Sequence, residues 1–283
     1  MMRNRLNKLK ILINVLFFNY NFIKILKNSI VLSTISKSGT QYARTLIGNY
    51  LINFKKKNYN FININDINFK FFPNVRSRIL YRKSDYKSNY LLKSNNLNYS
   101  DFMYDHGCFF ENIYLLKPKK IIYIYRNPLD YLVSHYNYKK LKGEKINNIM
   151  ELIDTRLPEY IENYKKIKRH KNKKNYLIIT YESLVTKTTI KLKEIINFLG
   201  LPIHEDLILK IISDASITNV KKLEKQNREY IHFGKKIKYN KHKSFVSSGK
   251  IGQWKEYFNS NDLILIKIKL EEESIFLEEF QLN

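Results

Sequence analysis

The chain has 283 residues, enough for one large α/β domain, and its 51 Lys and Arg against 25 Asp and Glu leave a formal charge of +26. A hydrophobic fraction of 44% and an aromatic fraction of 14% exclude wholesale disorder, and no Pro/Gly/Ser-rich linker or fixed-period repeat divides the chain. The single cysteine, Cys108, excludes an intrachain disulfide and a cysteine zinc cluster, and it fits a reducing, cytoplasmic setting. The charge has two readings: a partner rich in negative charge, or the bias of a composition crowded with Lys, Asn, Ile, Tyr and Phe. Arg is scarce, so a well-placed Arg is more informative than any Lys.

Residues 1–29 read as a basic, apolar helical extension. Arg3, Arg5, Lys8 and Lys10 precede an apolar run, Ile11 to Phe18, interrupted by Asn14, and a second patch spans Phe22 to Leu26. Both are too short to span a bilayer, and no small-residue cleavage site follows. An amphipathic helix docked on the domain, or in peripheral contact with a membrane through residues 1–28, is the expectation.

The domain proper is expected over 30–283. The β-branched run Ile30 to Ser36 predicts a buried strand. Lys37-Ser38-Gly39-Thr40 breaks it, with Thr40 expected to cap a helix from Gln41 to about Phe54. Residues 55–100 read as irregular, with a strand at Tyr59 to Ile64. Phe102 to His106 predicts a short strand ending at Gly107. Lys119 to Tyr125 is the strongest strand, closed by Arg126-Asn127-Pro128, and Pro128 suits the first turn of a helix reaching Leu141.

Asn147 to Arg169 reads as mostly helix, bent near Pro158. A strand at Tyr176 to Thr180 follows, then helices at Thr188 to Leu199 and Glu205 to Ser213. Lys225 to Gly252 is basic and aperiodic, read as a loop or lid, and Asn261 is expected to cap a final helix. Strands alternating with helices imply a mostly parallel central sheet flanked by helices, with a P-loop-like turn and the ligand at the carboxyl ends of the strands.

Four segments carry chemistry. In Lys37-Ser38-Gly39-Thr40 the turn amides, the helix dipole and the Lys charge favour an anion. A Walker A loop places Lys after its last Gly, so this is a different motif. The segment also reads as an ordinary strand–helix turn with a surface Lys. Arg126 offers a fork of donors for a phosphate, and Ser134, about two helical turns on, adds a hydroxyl. Arg126 bonded to local carbonyls and Ser134 on a plain helix face fit equally well. His106 has a side chain able to take a proton from an attacking hydroxyl. Most of the six histidines must nevertheless be structural. Ser247-Ser248-Gly249-Lys250-Ile251-Gly252-Gln253-Trp254-Lys255 reads as a phosphate-wrapping turn or as a loop anchored by a buried Trp.

Taken in order, these pieces resemble the sulfotransferase family. Ser36 to Tyr42 resembles the loop that grips the 5′-phosphosulfate. Tyr123 to Asp130, with Ser134, is similar to the segment that grips the 3′-phosphate. Tyr181-Glu182-Ser183-Leu184 resembles the tyrosine segment beside adenine, and Gly249, Gly252, Trp254 and Lys255 match the C-terminal loop. The resemblance covers roughly residues 30–258. It implies 3′-phosphoadenosine 5′-phosphosulfate (PAPS) as donor, a hydroxyl- or amine-bearing acceptor (a glycan, lipid-linked sugar or small metabolite), His106 as base and Lys37 at the leaving oxygen, and the residues themselves require no metal. Lys37, Ser38, Gly39, Thr40, Gln41, Tyr42, Arg126, Ser134, Tyr181, Ser247, Ser248 and Gly249 are the implied donor contacts.

The departures are Tyr42 where the family has Trp, Tyr104 where it has Lys, and Ser247-Ser248 where it has Arg-Lys. Asp105 and Glu111 are alternative bases, because carbohydrate-directed members use a carboxylate. A kinase, a charge-driven nucleic-acid binder and an inactive nucleotide-binding relative are the rival readings.

Overall fold

The structure, a computed structural model, describes residues 28–62, 102–107, 118–226, 229–232, 235–238 and 249–280, with the backbone alone over 223–238. Strands β1 (Ile30–Thr34), β2 (Phe102–His106), β3 (Lys120–Tyr125) and β4 (Tyr176–Thr180) form an all-parallel sheet in the order β2-β1-β3-β4. The register aligns their carboxyl ends: Thr34 lies opposite His106 and Ile124, and Tyr125 opposite Thr180.

Alternation along these strands divides the interior into two cores. Val31, Met103, Ile121, Tyr123 and Tyr125 face helices α2 (Pro128–Leu141) and α3 (Leu157–Lys168). Ile30, Leu32, Phe102, Ile122 and Ile124 face α1 (Thr40–Asn53) on the other side. The short helix α4 (Tyr181–Thr186) follows β4 directly. Then α5 (Thr188–Leu199) and α6 (Glu205–Asp214) join the α1 layer. Helix α7 (Ile217–Gln226) leads to an antiparallel pair, β5 (Glu229–His232) and β6 (Lys235–Lys238), and α8 (Ser260–Glu271) closes the α2 layer. The chain is thus an α/β fold with helices on both faces of its sheet, as expected.

Several local expectations are corrected. Residues 59–62 form no strand. The α1 side chains of Asn49 and Asn53 do the work of a sheet partner there. Asn53 Oδ1 accepts from Asn60 N–H at 2.9 Å and Asn49 Oδ1 from Ile62 N–H at 2.7 Å, and both amides donate back. Pro158 starts α3 rather than bending a longer helix; a separate 3-10 turn, Ile149–Leu152, precedes it behind an Asn148–Glu151 capping box. The 225–252 stretch contains β5 and β6 instead of loop alone. Asn259, not Asn261, caps α8, because only Asn259 has an acid, Asp262, placed to return the bond. Most of the N-terminal extension, together with Cys108, Glu111, Ser247 and Ser248, lies outside the described residues.

Candidate active site

The chain after β1 reverses into α1 through a tight turn. Ser38 N–H donates to the Ile35 carbonyl at 3.1 Å, and Lys37 and Gly39 take positive φ of 64° and 79°. Such turns group successive amides around a concavity that suits an anion. Gly39 is required twice over: a Cβ there would adopt a left-handed φ and approach the Tyr181 ring to 2.3 Å. Gly39 rather than Thr40 occupies the cap position of α1, with no capping side chain and no acid in the first turn. The positive dipole end of α1 therefore has neither a capping side chain nor a first-turn acid to offset it. The Ser38 hydroxyl is fully buried in this turn and has no hydrogen-bond partner among the described residues.

Lys37 lays its Nζ 3.3 Å from the centroid of the Tyr138 ring on α2. Burial, and then the Lys142 charge, push this ammonium down to about 7. One turn back on α2, His135 Nε2 lies 2.9 Å from Ser36 Oγ. His135 is buried against Tyr131, and burial followed by the charges of Arg156, Lys37 and Lys139 drives it down to about 3. Neither His135 nor Tyr138 was expected in the site. Their spacing with Tyr131 (131, 135, 138) marks one helix face, a signal that becomes readable only once that helix is known to back the loop.

The second element is β3 and its turn. Asn127 Oδ1 accepts from Leu129 N–H at 2.8 Å and Pro128 fills the first turn, so Arg126 is fixed at the strand end. Its guanidinium is buried: Nη2 donates to the Lys250 carbonyl at 2.9 Å, lies 3.7 Å from Asp130 Oδ2, and the group stacks 4.6 Å over Tyr181. Its Nε has no partner among the described residues.

Asp130 also accepts from Gly252 N–H at 2.8 Å and Trp254 N–H at 3.2 Å. Tyr181 hydroxyl donates to the Gly249 carbonyl at 3.2 Å. Glu182 accepts from Asn127 N–H at 3.0 Å; its burial holds the carboxyl above its usual range. The C-terminal loop is thereby seated on the Arg126 segment, with Tyr181 between it and Gly39.

Three further expected residues lie nearby. Gln41 and Tyr42 are half-buried in the first turn of α1, and Tyr42 hydroxyl sits 3.3 Å from Thr188 Oγ1. Ser134 is half-buried in the same turn of α2 as Tyr131 and His135.

The third element is the end of β2. His106 is exposed there, with Nδ1 3.1 Å from Thr34 Oγ1, and Thr34 Oγ1 is in turn 2.6 Å from Thr40 Oγ1. Tyr104 meets His106 edge-on at 5.4 Å and carries the Arg44 guanidinium on its face at 3.8 Å. A cation thus accompanies this position although Tyr104 replaces Lys. Arg44 is a residue the motif reading missed. Strand alternation turns Asp105 inward to 1% exposure, whereas the His106 imidazole is exposed.

All these groups line the carboxyl edge of the sheet, where the chain crosses from the β1–β2 side to β3 and β4. That is the topological switch point at which open α/β sheets bind ligands. Residues 27–266 match the family described as the sulfotransferase domain. This chain belongs to the sulfotransferase family.

Mouse sulfotransferase 2B1 is 25% identical over 158 residues, covering 53% of this chain and 46% of that protein. Cytosolic sulfotransferase 7 of Arabidopsis thaliana is 29% identical over 171 residues, covering 55% and 51%. The matches thus span about half the length of these sulfotransferase relatives. Retinol dehydratase in complex with retinol and PAP shares the fold with a TM-score of 0.61 at 16% identity, covering 93% of this chain and 88% of that one. Mouse SULT7A1 complexed with PAP does so at 0.59 and 18%, covering 87% and 84%.

Among the described residues no His, Cys, Asp or Glu cluster is placed to hold a metal ion, and no helix is long and apolar enough to cross a membrane.

Proposed function

We propose that this sulfotransferase-family chain transfers a sulfuryl group from PAPS to a hydroxyl or amine of its acceptor by in-line displacement. One observation carries the reading. The Ser38 hydroxyl and Arg126 Nε, both buried and without a partner among the described residues, sit on the two loops that flank the switch point, with the Tyr181 ring packed against both loops. Unsatisfied buried donors are costly, and a doubly phosphorylated nucleotide would satisfy both.

The Gly39 and Thr40 amides, the Ser38 hydroxyl and the α1 N-terminus hold the 5′-phosphate end. Arg126 and Ser134 hold the 3′-phosphate, and Tyr42 and Tyr181 flank adenine. His106 takes the proton of the attacking acceptor as the acceptor O–S bond forms. The S–O bond to the phosphate breaks at the same time, and its electron pair passes to the phosphate oxygen, beside protonated Lys37. The products are the sulfated acceptor, adenosine 3′,5′-bisphosphate and a proton on His106. Positioning and electrostatics supply most of the catalysis in such displacements.

The test is donor turnover with a panel of hydroxyl and amine acceptors, followed by bisphosphate release. His106→Ala should lower turnover on the order of 10²-fold or more, the scale of a general base, with donor affinity intact. Undiminished turnover would move the base elsewhere.

A further inference from the structure

We propose that Thr34 is a positioning residue that couples donor occupancy to the tautomer of His106; this rests on the reading of Thr40 as a donor contact and of His106 as the base. The hydroxyl of Thr34 stands between the two, 2.6 Å from Thr40 Oγ1 and 3.1 Å from His106 Nδ1, and both threonines are buried. The parallel register sets Thr34 opposite His106, and Gly107 N–H donates to the Thr34 carbonyl at 2.9 Å, so the relay is held by the backbone.

Proton counting decides the direction. Each hydroxyl has one proton, and a neutral imidazole has one N–H. Two oxygens at hydrogen-bond distance require a proton between them. Thr40 is the first residue of α1, where the helix end favours an anion. Once Thr40 donates to a bound phosphate, the proton between the threonines must be that of Thr34. Thr34 then has none left for the ring, so the 3.1 Å contact must be bridged by Nδ1–H. The basic lone pair of the neutral ring is then on Nε2. Without an anion the opposite ordering is open: Thr40 donates to Thr34 and Thr34 to Nδ1, which occupies the ring's lone pair inside the relay. Donor binding thus arms the base before the acceptor is attacked.

The test uses the full chain with ¹⁵N-labelled histidine. Tautomers are read from the imidazole nitrogen shifts, His106 is assigned by comparison with His106→Gln, and 3′,5′-adenosine bisphosphate is titrated into the same sample. Saturation should move His106 to the Nδ1–H form. Thr34→Val, which keeps the shape and removes the hydroxyl, should abolish that response while bisphosphate still binds. It should also lower kcat about tenfold, a fraction of the base's whole effect, with donor KM within a few-fold; Thr34→Ser should restore both. A ring whose tautomer ignores bound bisphosphate, or a Thr34→Val enzyme with wild-type kcat and tautomer response, overturns the relay alone. Failure of bisphosphate to bind at all overturns the donor reading and the relay with it.

Discussion

Lys37 sets its ammonium on the Tyr138 face, in surroundings that push its pKa down to about 7. At pH 8 most of these amines are neutral. A bound phosphate restores the charge by raising the pKa, so binding takes up protons. Calorimetric titration of bisphosphate at pH 8 in buffers of different ionisation enthalpy should show net proton uptake, and Lys37→Met should abolish it.

His135 gives a prediction of stability. Its folded pKa, about 3, lies below the ordinary 6.5. The unfolded chain therefore binds more protons between those values. The stability this neutral imidazole contributes is complete above about pH 6.5 and is lost as pH falls toward 3. His135→Gln, which preserves a polar partner for Ser36, should flatten that acid dependence in urea midpoints measured between pH 7 and 4.5. An unchanged slope would remove His135 as its source.

At the scale of elements, two contacts lock the site loops together. Gly39→Ala forces a Cβ into the Tyr181 ring at a left-handed φ. It should cost about 1–3 kcal/mol in chemical denaturation, as strained backbone positions do. Tyr181→Ala in the same chain should recover part of the loss, because it removes the clash and leaves the strain. Asp130→Ala removes the acceptor of Gly252 and Trp254 N–H and a carboxylate beside Arg126. The loss is about 1.5–3 kcal/mol per charge-assisted bond. The C-terminal loop should detach, read as faster tryptic cleavage after Lys250 and Lys255 with the rest of the domain folded.

Elements with a local cause were legible in the sequence. β3 is a run of apolar residues closed by Arg126-Asn127-Pro128, and Pro128 opens α2 as its fixed φ favours. The turn at 37–39 was legible through Gly39. The cap of α8 was misplaced by one alternative Asn, although the Asn259–Asp262 pair carries the reciprocal signal. β5 and β6 have four residues each and no alternation, so their pairing has no local mark. The Ser36–His135 bond and the Arg44–Tyr104 stack join residues distant in sequence, and only packing brings them together.

At the scale of the molecule, the alternating pattern was enough for a parallel sheet with two covered faces, because buried strands and amphipathic helices alternate along the chain. Strand order was not legible. It follows from where β3 docks beside β1, and it sets the switch point that the four motif segments share. The +26 charge offers a second attraction for any polyanion, and salt screens it. A site built from a buried Arg126 fork and turn amides should instead discriminate by phosphate position.

That difference defines the most direct test: isothermal titration of the whole chain with 3′,5′-adenosine bisphosphate beside 5′-AMP at physiological salt. The account predicts bisphosphate binding tighter by about 10–150-fold, the equivalent of the 1.5–3 kcal/mol of a charge-assisted bond, and Arg126→Ala should erase the margin. Equal affinity for the two nucleotides, or no binding of either by the folded chain, would contradict it.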